Sequence, residues 1–299
     1  MRFQIPRRAD EAAVALAPAL FVLLWSTGFI GAKYGLPYAE PMTFLAIRFA
    51  LVTVIVSGIA FAMRVPQLRG AAVGHNVVSA LLLHGLYLGG VFFAIDRQMP
   101  AGIAALIVGL QPLLTSTVAG RLLGERVRRL QWAGLVLGLA GLYLVVEDRT
   151  GGAAPTEAWI AILIALFGVT AGTLYQKRYG GGTDLRAAIP IQFGATLAFF
   201  AAGSFLFETQ AVQWTAEFIF AVAWLSLVLS CGAIFLFYWL IRRTAATRLV
   251  SLFYLVPPVT ALLSFLLFGE RLEPLALAGM AICVAGVFLV IWSAEPAAA

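Results

Sequence analysis

The sequence predicts an all-α polytopic membrane protein, with ten transmembrane helices arranged as two inverted five-helix repeats. Three observations predict it. Of the 299 residues, 62% are hydrophobic and only 11% charged, with a mean hydropathy of +0.96. A soluble globular chain carries about 25% charged residues. The apolar residues fall into ten runs, each near the ~20 residues that span a hydrocarbon core. The second half of the chain repeats the first, with the charge bias of corresponding loops reversed. This composition excludes a soluble two-domain enzyme and a disordered or collagen-like chain.

The ten runs are 12–32, 42–62, 75–95, 101–123, 129–147, 157–177, 186–206, 217–240, 245–268 and 272–292. The first follows Arg2, Arg7 and Arg8, as in a secretory leader. It outlasts the roughly 7–15 residues of a leader's apolar region and has no clean small-residue cleavage site, so it reads as a span. The connections are too short to hold a soluble domain. Lys and Arg number 15 on the amino-terminal side of these spans and 4 on the other, with Arg48 inside a span. Positive charge accumulates on the cytoplasmic side, so both termini are expected there. The same distribution accounts for the pI near 9.7. No Cys/His finger and no basic patch interleaved with aromatics points to nucleic acid. Cys231 and Cys283 lie in apolar runs and read as small core residues, and no metal-ligand spacing occurs.

Shifted by 145 residues, positions 95–146 align without a gap on 240–291, with 16 identities in 52. Pro112 falls on Pro257, Gly124-Glu125-Arg126 on Gly269-Glu270-Arg271, and Gly134 and Gly141 on Gly279 and Gly286. At offset 144, Lys33 falls on Lys177 and Phe49 on Phe193. The units are therefore 1–148 and 149–299. Five spans are an odd number, so the second unit enters the membrane from the opposite face. The loop bearing Arg121, Arg126, Arg128 and Arg129 corresponds to one bearing Arg271 alone, as inversion requires. Inverted repeats recur among secondary transporters, where two pseudo-symmetric halves can exchange shapes.

Proline removes a backbone hydrogen bond and kinks a helix. Pro112 and Pro257, near the middle of the fourth and ninth spans, are the candidate hinges. His84 sits mid-span with Tyr87 one turn on, so both share a face. The histidine suits a proton relay, a neutral hydrogen-bonding wall, or a core position tied to a carbonyl. Gln111 with Thr115, Thr170 with Thr173 and Lys177, and Ser251 with Tyr254 form polar stripes, and Ser26 and Thr27 flank Trp25. Such stripes face partner helices or a cavity. Trp25, His84, Tyr87, Gln111, Thr170, Ser251 and Tyr254 are the candidate binding residues. Arg48 needs a partner, and a substrate carboxylate, the outer interface and helix-end carbonyls all qualify. No carboxylate lies deep in a span, which argues against obligatory proton or sodium coupling. Gly-x-Ser-x-Gly, paired in-span aspartates and a Walker A motif are missing, so neither an intramembrane enzyme nor an ATP-driven pump is expected.

The run Trp25-Ser26-Thr27-Gly28-Phe29, followed by Lys33, Gly35, Pro41, Arg48 and Phe49, resembles the opening of an EamA-type drug/metabolite transporter. The twice-occurring proline, Gly-Glu-Arg and glycine-bearing helix resemble the two EamA repeats. Within that family the sequence is most similar to bacterial exporters of aromatic and other neutral amino acids. The resemblance implies ten helices in two inverted repeats around a central substrate cavity. It also implies export of neutral amino acids and related small metabolites across the inner membrane by alternating access. No cofactor is expected, and a monomer embedded in the bilayer suffices. Gln192 stands where Arg48 would recur. A phosphate-ester or nucleotide-sugar carrier, or a proton-coupled drug exporter, would use the same fold. A phosphate carrier needs clustered cations, and only Arg48, Lys33 and Lys177 qualify.

Overall fold

The computed structural model of the chain describes residues 7–99, 101–111, 114, 115, 118, 129–147, 154–243, 249, 252–268 and 274–293. Among these residues the chain is helical, and the sole extended pairing is an isolated bridge between Ala39 and Val212. The helices are α1 (Arg7–Gly35), α2 (Pro41–Ala62), α3 (Ala71–Asp96), α4 (Ala101–Val108) and α5 (Arg129–Glu147). They continue as α6 (Thr156–Tyr179), α7 (Leu185–Phe207) and α8, which runs through Ala216–Ala223, Trp224–Ala233 and Ile234–Arg243. A 3-10 turn at Leu252–Leu255 leads into α9 (Val256–Phe268), and α10 is Pro274–Ser293. Among the described residues, six segments are long and apolar enough to cross a bilayer: Leu16–Tyr38, Pro41–Ala62, Ala71–Asp96, Thr156–Tyr179, Leu185–Phe207 and Ala216–Ala233.

Local chemistry sets several helix starts. Pro41 opens α2, where its missing N–H costs nothing. The free N–H groups of Met42 and Thr43 donate to the Glu208 carboxylate at the end of α7, both at 2.7 Å. A carboxylate at a helix N-terminus also meets the positive end of the helix dipole. Asp184 caps α7 by accepting from the Arg186 N–H, and Thr215 caps α8 by accepting from Phe218.

The helices pair in a reciprocal pattern. α2 packs along α7, α4 touches α9, and α5 runs along α10, so each of these helices meets the one five places on. α1 packs on α8 and α9, while α6 packs on α3 and α4. The α5–α10 crossing shows the reciprocity atom by atom. A Cβ on Gly141 would stand 2.5 Å from the Gly279 carbonyl oxygen and 2.6 Å from the Cys283 nitrogen. A Cβ on Gly286 would stand 2.6 Å from the Gly134 oxygen and 2.6 Å from the Gly138 nitrogen. These are the same contacts displaced by 145 residues. Glycine at both positions lets two backbones touch, the small-residue packing used between membrane helices.

Breaks in regular helix also recur at matching places. α3 contains a π-helical stretch at Leu81–Leu86 and α8 one at Trp224–Ala233. Past the end of α4 the Leu110 N–H donates to Ile107, a tight turn, and Leu252–Leu255 is the 3-10 turn 145 residues on. Pro257 was expected to kink a continuous span at its middle. In the structure α9 instead begins at Val256, with Pro257 and Pro258 in its first turn. Two successive residues without N–H cannot extend an α-helix that enters from Leu252, and the first turn is where proline is tolerated. Pro112 lies outside the described residues.

Candidate functional site

Two small voids lie at the centre, where α1, α2, α3, α6, α8 and the turn before α9 converge. The larger, about 30 Å³, is bordered by Trp25, Phe29, Arg48, His84, Tyr87 and Leu229 among others. The smaller, about 10 Å³, is bordered by Trp25, Leu83, His84, Tyr87, Val169, Phe237 and Phe253. One water needs roughly 10–15 Å³ on this measure, so the two together hold a few waters at most. Neither void is the size of an amino acid. A roomier space, about 1010 Å³, is a surface crevice between the ends of α2 and α7, lined by Phe61, Arg64, Arg186 and Pro190 among others.

Trp25, His84 and Tyr87 border both voids, so the structure brings these three candidates together. The Trp25 indole N–H donates to the Tyr87 hydroxyl at 3.1 Å, and the rings lie within 7° of parallel. Trp25 also packs on Phe21, Phe237 and Phe253, a cluster of rings that closes one side of the smaller void. His84 is buried between Phe49 and Phe193, with ring centroids 5.8 and 5.5 Å away. The π-helical stretch that carries His84 places it beside Tyr87 on the void wall; such widened turns are frequent at functional sites.

Arg48 is 1% exposed. Its Nε and Nη2 donate to the Ser230 hydroxyl at 3.1 and 2.9 Å, and the guanidinium lies 5.5 Å from the Phe49 ring centroid. Ser230 donates onward to the Leu225 carbonyl within the π-helical part of α8. Nη1 of Arg48 is buried and has no partner among the described residues. The corresponding Gln192 has different company: its amide donates to Asn76 at 2.7 Å and to Gln176 at 3.3 Å.

The remaining candidates stand further out. Gln111 donates to the Thr173 hydroxyl at 2.8 Å and to the carbonyl of Val169, a wall residue of the smaller void, while its own side-chain oxygen is buried without a partner. Thr170 is buried with an unpartnered hydroxyl and borders neither void. Tyr254 is buried against Gly138, and its neighbour Phe253 faces the void instead. Ser251 lies outside the described residues. Lys33 sits over the Phe268 ring and Lys177 donates to the Ile241 carbonyl, so neither joins Arg48. The polar residues that the sequence did not single out are Ser230, Asn76 and Gln176. The four-residue spacing of Ser226 and Ser230 was the available signal for the first. Among the described residues no three His, Cys, Asp or Glu converge as metal ligands.

The model of the EamA-like transporter family matches the chain at residues 12–147 and again at 156–292. Among curated relatives, the uncharacterized transporter YvbV of Bacillus subtilis is 28% identical over 95% of this chain and 93% of its own. The uncharacterized inner membrane transporter YedA of Escherichia coli K12 is 28% identical over 91% and 89%. A protein of Salmonella typhimurium named "Probable amino-acid metabolite efflux pump" is 26% identical over 90% and 92%. A solved crystal structure superposes with a TM-score of 0.77 at 22% identity, covering 94% of this chain and 97% of that one. With a transporter family model matched twice across nearly its whole length, the chain is a membrane transporter and belongs to the EamA-like transporter family.

Proposed function

We propose that this transporter exports neutral amino acids, aromatic ones included, and related small metabolites across the bacterial inner membrane by alternating access. The observation that carries the reading is the wall of the central voids. Trp25 and Tyr87 offer broad aromatic faces, His84 a polar edge and Arg48 a single cation, with no carboxylate among the bordering residues. Such a wall suits a zwitterion with an apolar side chain. Relatives named for amino-acid efflux add support. A phosphate ester would call for several cations, and only Arg48 borders the voids. The lack of a bordering carboxylate likewise favours transport without obligatory ion coupling over a proton-driven drug exporter.

In this reading residues 1–148 and 149–299 form two inverted five-helix units of ten spans. The reciprocal helix pairing and the Gly141 and Gly286 contacts support a two-fold relation between them. Both termini would be cytoplasmic. Arg64 and Arg186 share one crevice on the side to which the sequence assigns 15 of the cations against 4, a distribution that fits the positive-inside rule. The voids are then the contracted form of a chamber that widens toward either face. The aromatic cluster of Phe21, Trp25, Phe237 and Phe253 would seal it inwardly. The carboxylate clasps of Glu208 on Met42 and Thr43, and of Glu40 on Thr209, would close it outwardly. Trp25, His84 and Tyr87 are the proposed binding residues, with Gln111 beside them and Pro257 as a bending point. Flux of a panel of amino acids, phosphate esters and cationic drugs in proteoliposomes tests the assignment. Neutral amino acids should cross, and sugar nucleotides should neither cross nor compete.

A further inference from the structure

We propose that the Arg48 guanidinium is an anion subsite of the central chamber, and that the substrate's carboxylate is its ligand. The inference rests on the amino-acid reading above for the identity of the substrate, but not for the existence of the subsite. A guanidinium carries five N–H donors in a planar fork. Here it is 1% exposed, and the protein gives it one hydroxyl, that of Ser230, shared by Nε and Nη2. Nη1 remains buried with no acceptor among the described residues, and Arg48 borders the larger void.

The groups around it supply no negative charge. α2 contributes the Phe49 ring, α8 contributes Ser230 and Cys231, α3 contributes His84 and Tyr87, and α1 contributes Trp25. Among the described residues no Asp or Glu pairs with it. An uncompensated charge deep in a membrane protein is costly, and such residues commonly mark a substrate or ion pathway. A buried guanidinium with an unused donor, on a residue that borders a void, is suited to a carboxylate, which it binds through parallel charged hydrogen bonds.

The two halves differ at this point, and the difference gives the chamber a direction. Gln192, the counterpart of Arg48, spends its amide on Asn76 and Gln176 and borders neither void. A single cation therefore lies between α2 and α8, on a void whose wall also carries the stacked Trp25 and Tyr87 rings. A bound amino acid would lie with its carboxylate toward Arg48 and its apolar side chain against those rings.

The competing account makes Arg48 a strut that ties α2 to Ser230 of α8 and binds nothing. Thermal unfolding of the purified protein in detergent separates the two, with 3-phenylpropionate as probe: a carboxylate with an aromatic tail and no amine. The acid should raise the Tm of the wild type, and its amide should not. Arg48→Gln should abolish the shift, and Arg48→Lys, which keeps the charge and loses the fork, should retain part of it. In proteoliposomes Arg48→Gln should lower the ratio of kcat/KM for phenylalanine over phenylalaninamide at least about tenfold. A shift by the acid that is lost in Arg48→Gln upholds the subsite even where no amino acid crosses the vesicle, in which case the proposed substrate falls alone. No shift by the acid in the wild type, equal shifts by acid and amide, or an unchanged shift in Arg48→Gln overturns the subsite. Should Arg48→Gln not fold, the wild-type comparison of acid with amide decides.

Discussion

Tyr87 holds the Trp25 indole through one hydrogen bond and one parallel ring contact, so Tyr87→Phe removes the first and leaves the second. A hydrogen bond of this kind contributes about 1 kcal/mol. Transport should fall by roughly fivefold in Tyr87→Phe, and the unfolding temperature by about 2–4 °C, measured as initial flux and thermal unfolding on the same preparation. His84→Ala should impair flux more severely, because it removes a wall shared by both voids; unchanged kinetics would take His84 out of the site. That Trp25, His84 and Tyr87 meet on one wall was only partly legible in the sequence: the three-residue spacing put His84 and Tyr87 on one face, and nothing in it brought Trp25 to them. Tyr254 was not separable from Phe253, because the 3-10 turn at Leu252–Leu255 departs from the 3.6-residue period on which face assignments rest. The partner of Arg48 was not legible either. It sits 182 residues away on α8, and only tertiary packing brings Ser230 to it.

At the scale of helices, the α5–α10 crossing depends on glycine. Gly141→Ala and Gly286→Ala each drive a methyl into backbone that cannot retreat like a side chain. Each should cost about 1–3 kcal/mol, and the two should lower the unfolding temperature about equally. Gly58→Ala and Gly74→Ala, where a Cβ meets open space, should change little. Unequal losses at Gly141 and Gly286 would argue against a two-fold crossing. Pro257→Ala restores a donor in the first turn of α9 and should slow turnover more than it alters KM, read from concentration-dependent flux. The run lengths located the long helices α2, α6 and α7 to within a few residues, since span length is fixed by the bilayer. The breaks inside α3 and α8 left no comparable trace. A π-helical turn has no composition of its own, and Leu81–Leu86 reads as any apolar helix would.

For the molecule as a whole, the doubled pattern in the sequence reappears in the two matches to the family model and in the paired Gly141 and Gly286 contacts. What it could not convey was the state of the centre. Closure depends on how Phe21, Trp25, Phe237 and Phe253 interlock, a matter of angles and not of spacing. Transport should proceed down a substrate gradient alone in proteoliposomes; strict dependence on an imposed pH or sodium gradient would overturn uncoupled exchange. The central claim is that one chamber is reached from each face of the membrane in turn. Leu83 borders both voids, which makes it the place to probe, after replacement of Cys231 and Cys283 by alanine. A single cysteine at position 83 should react with membrane-impermeant thiol reagents applied from either side, and substrate should protect it from both. Reaction from one side only, or from neither, would contradict the account.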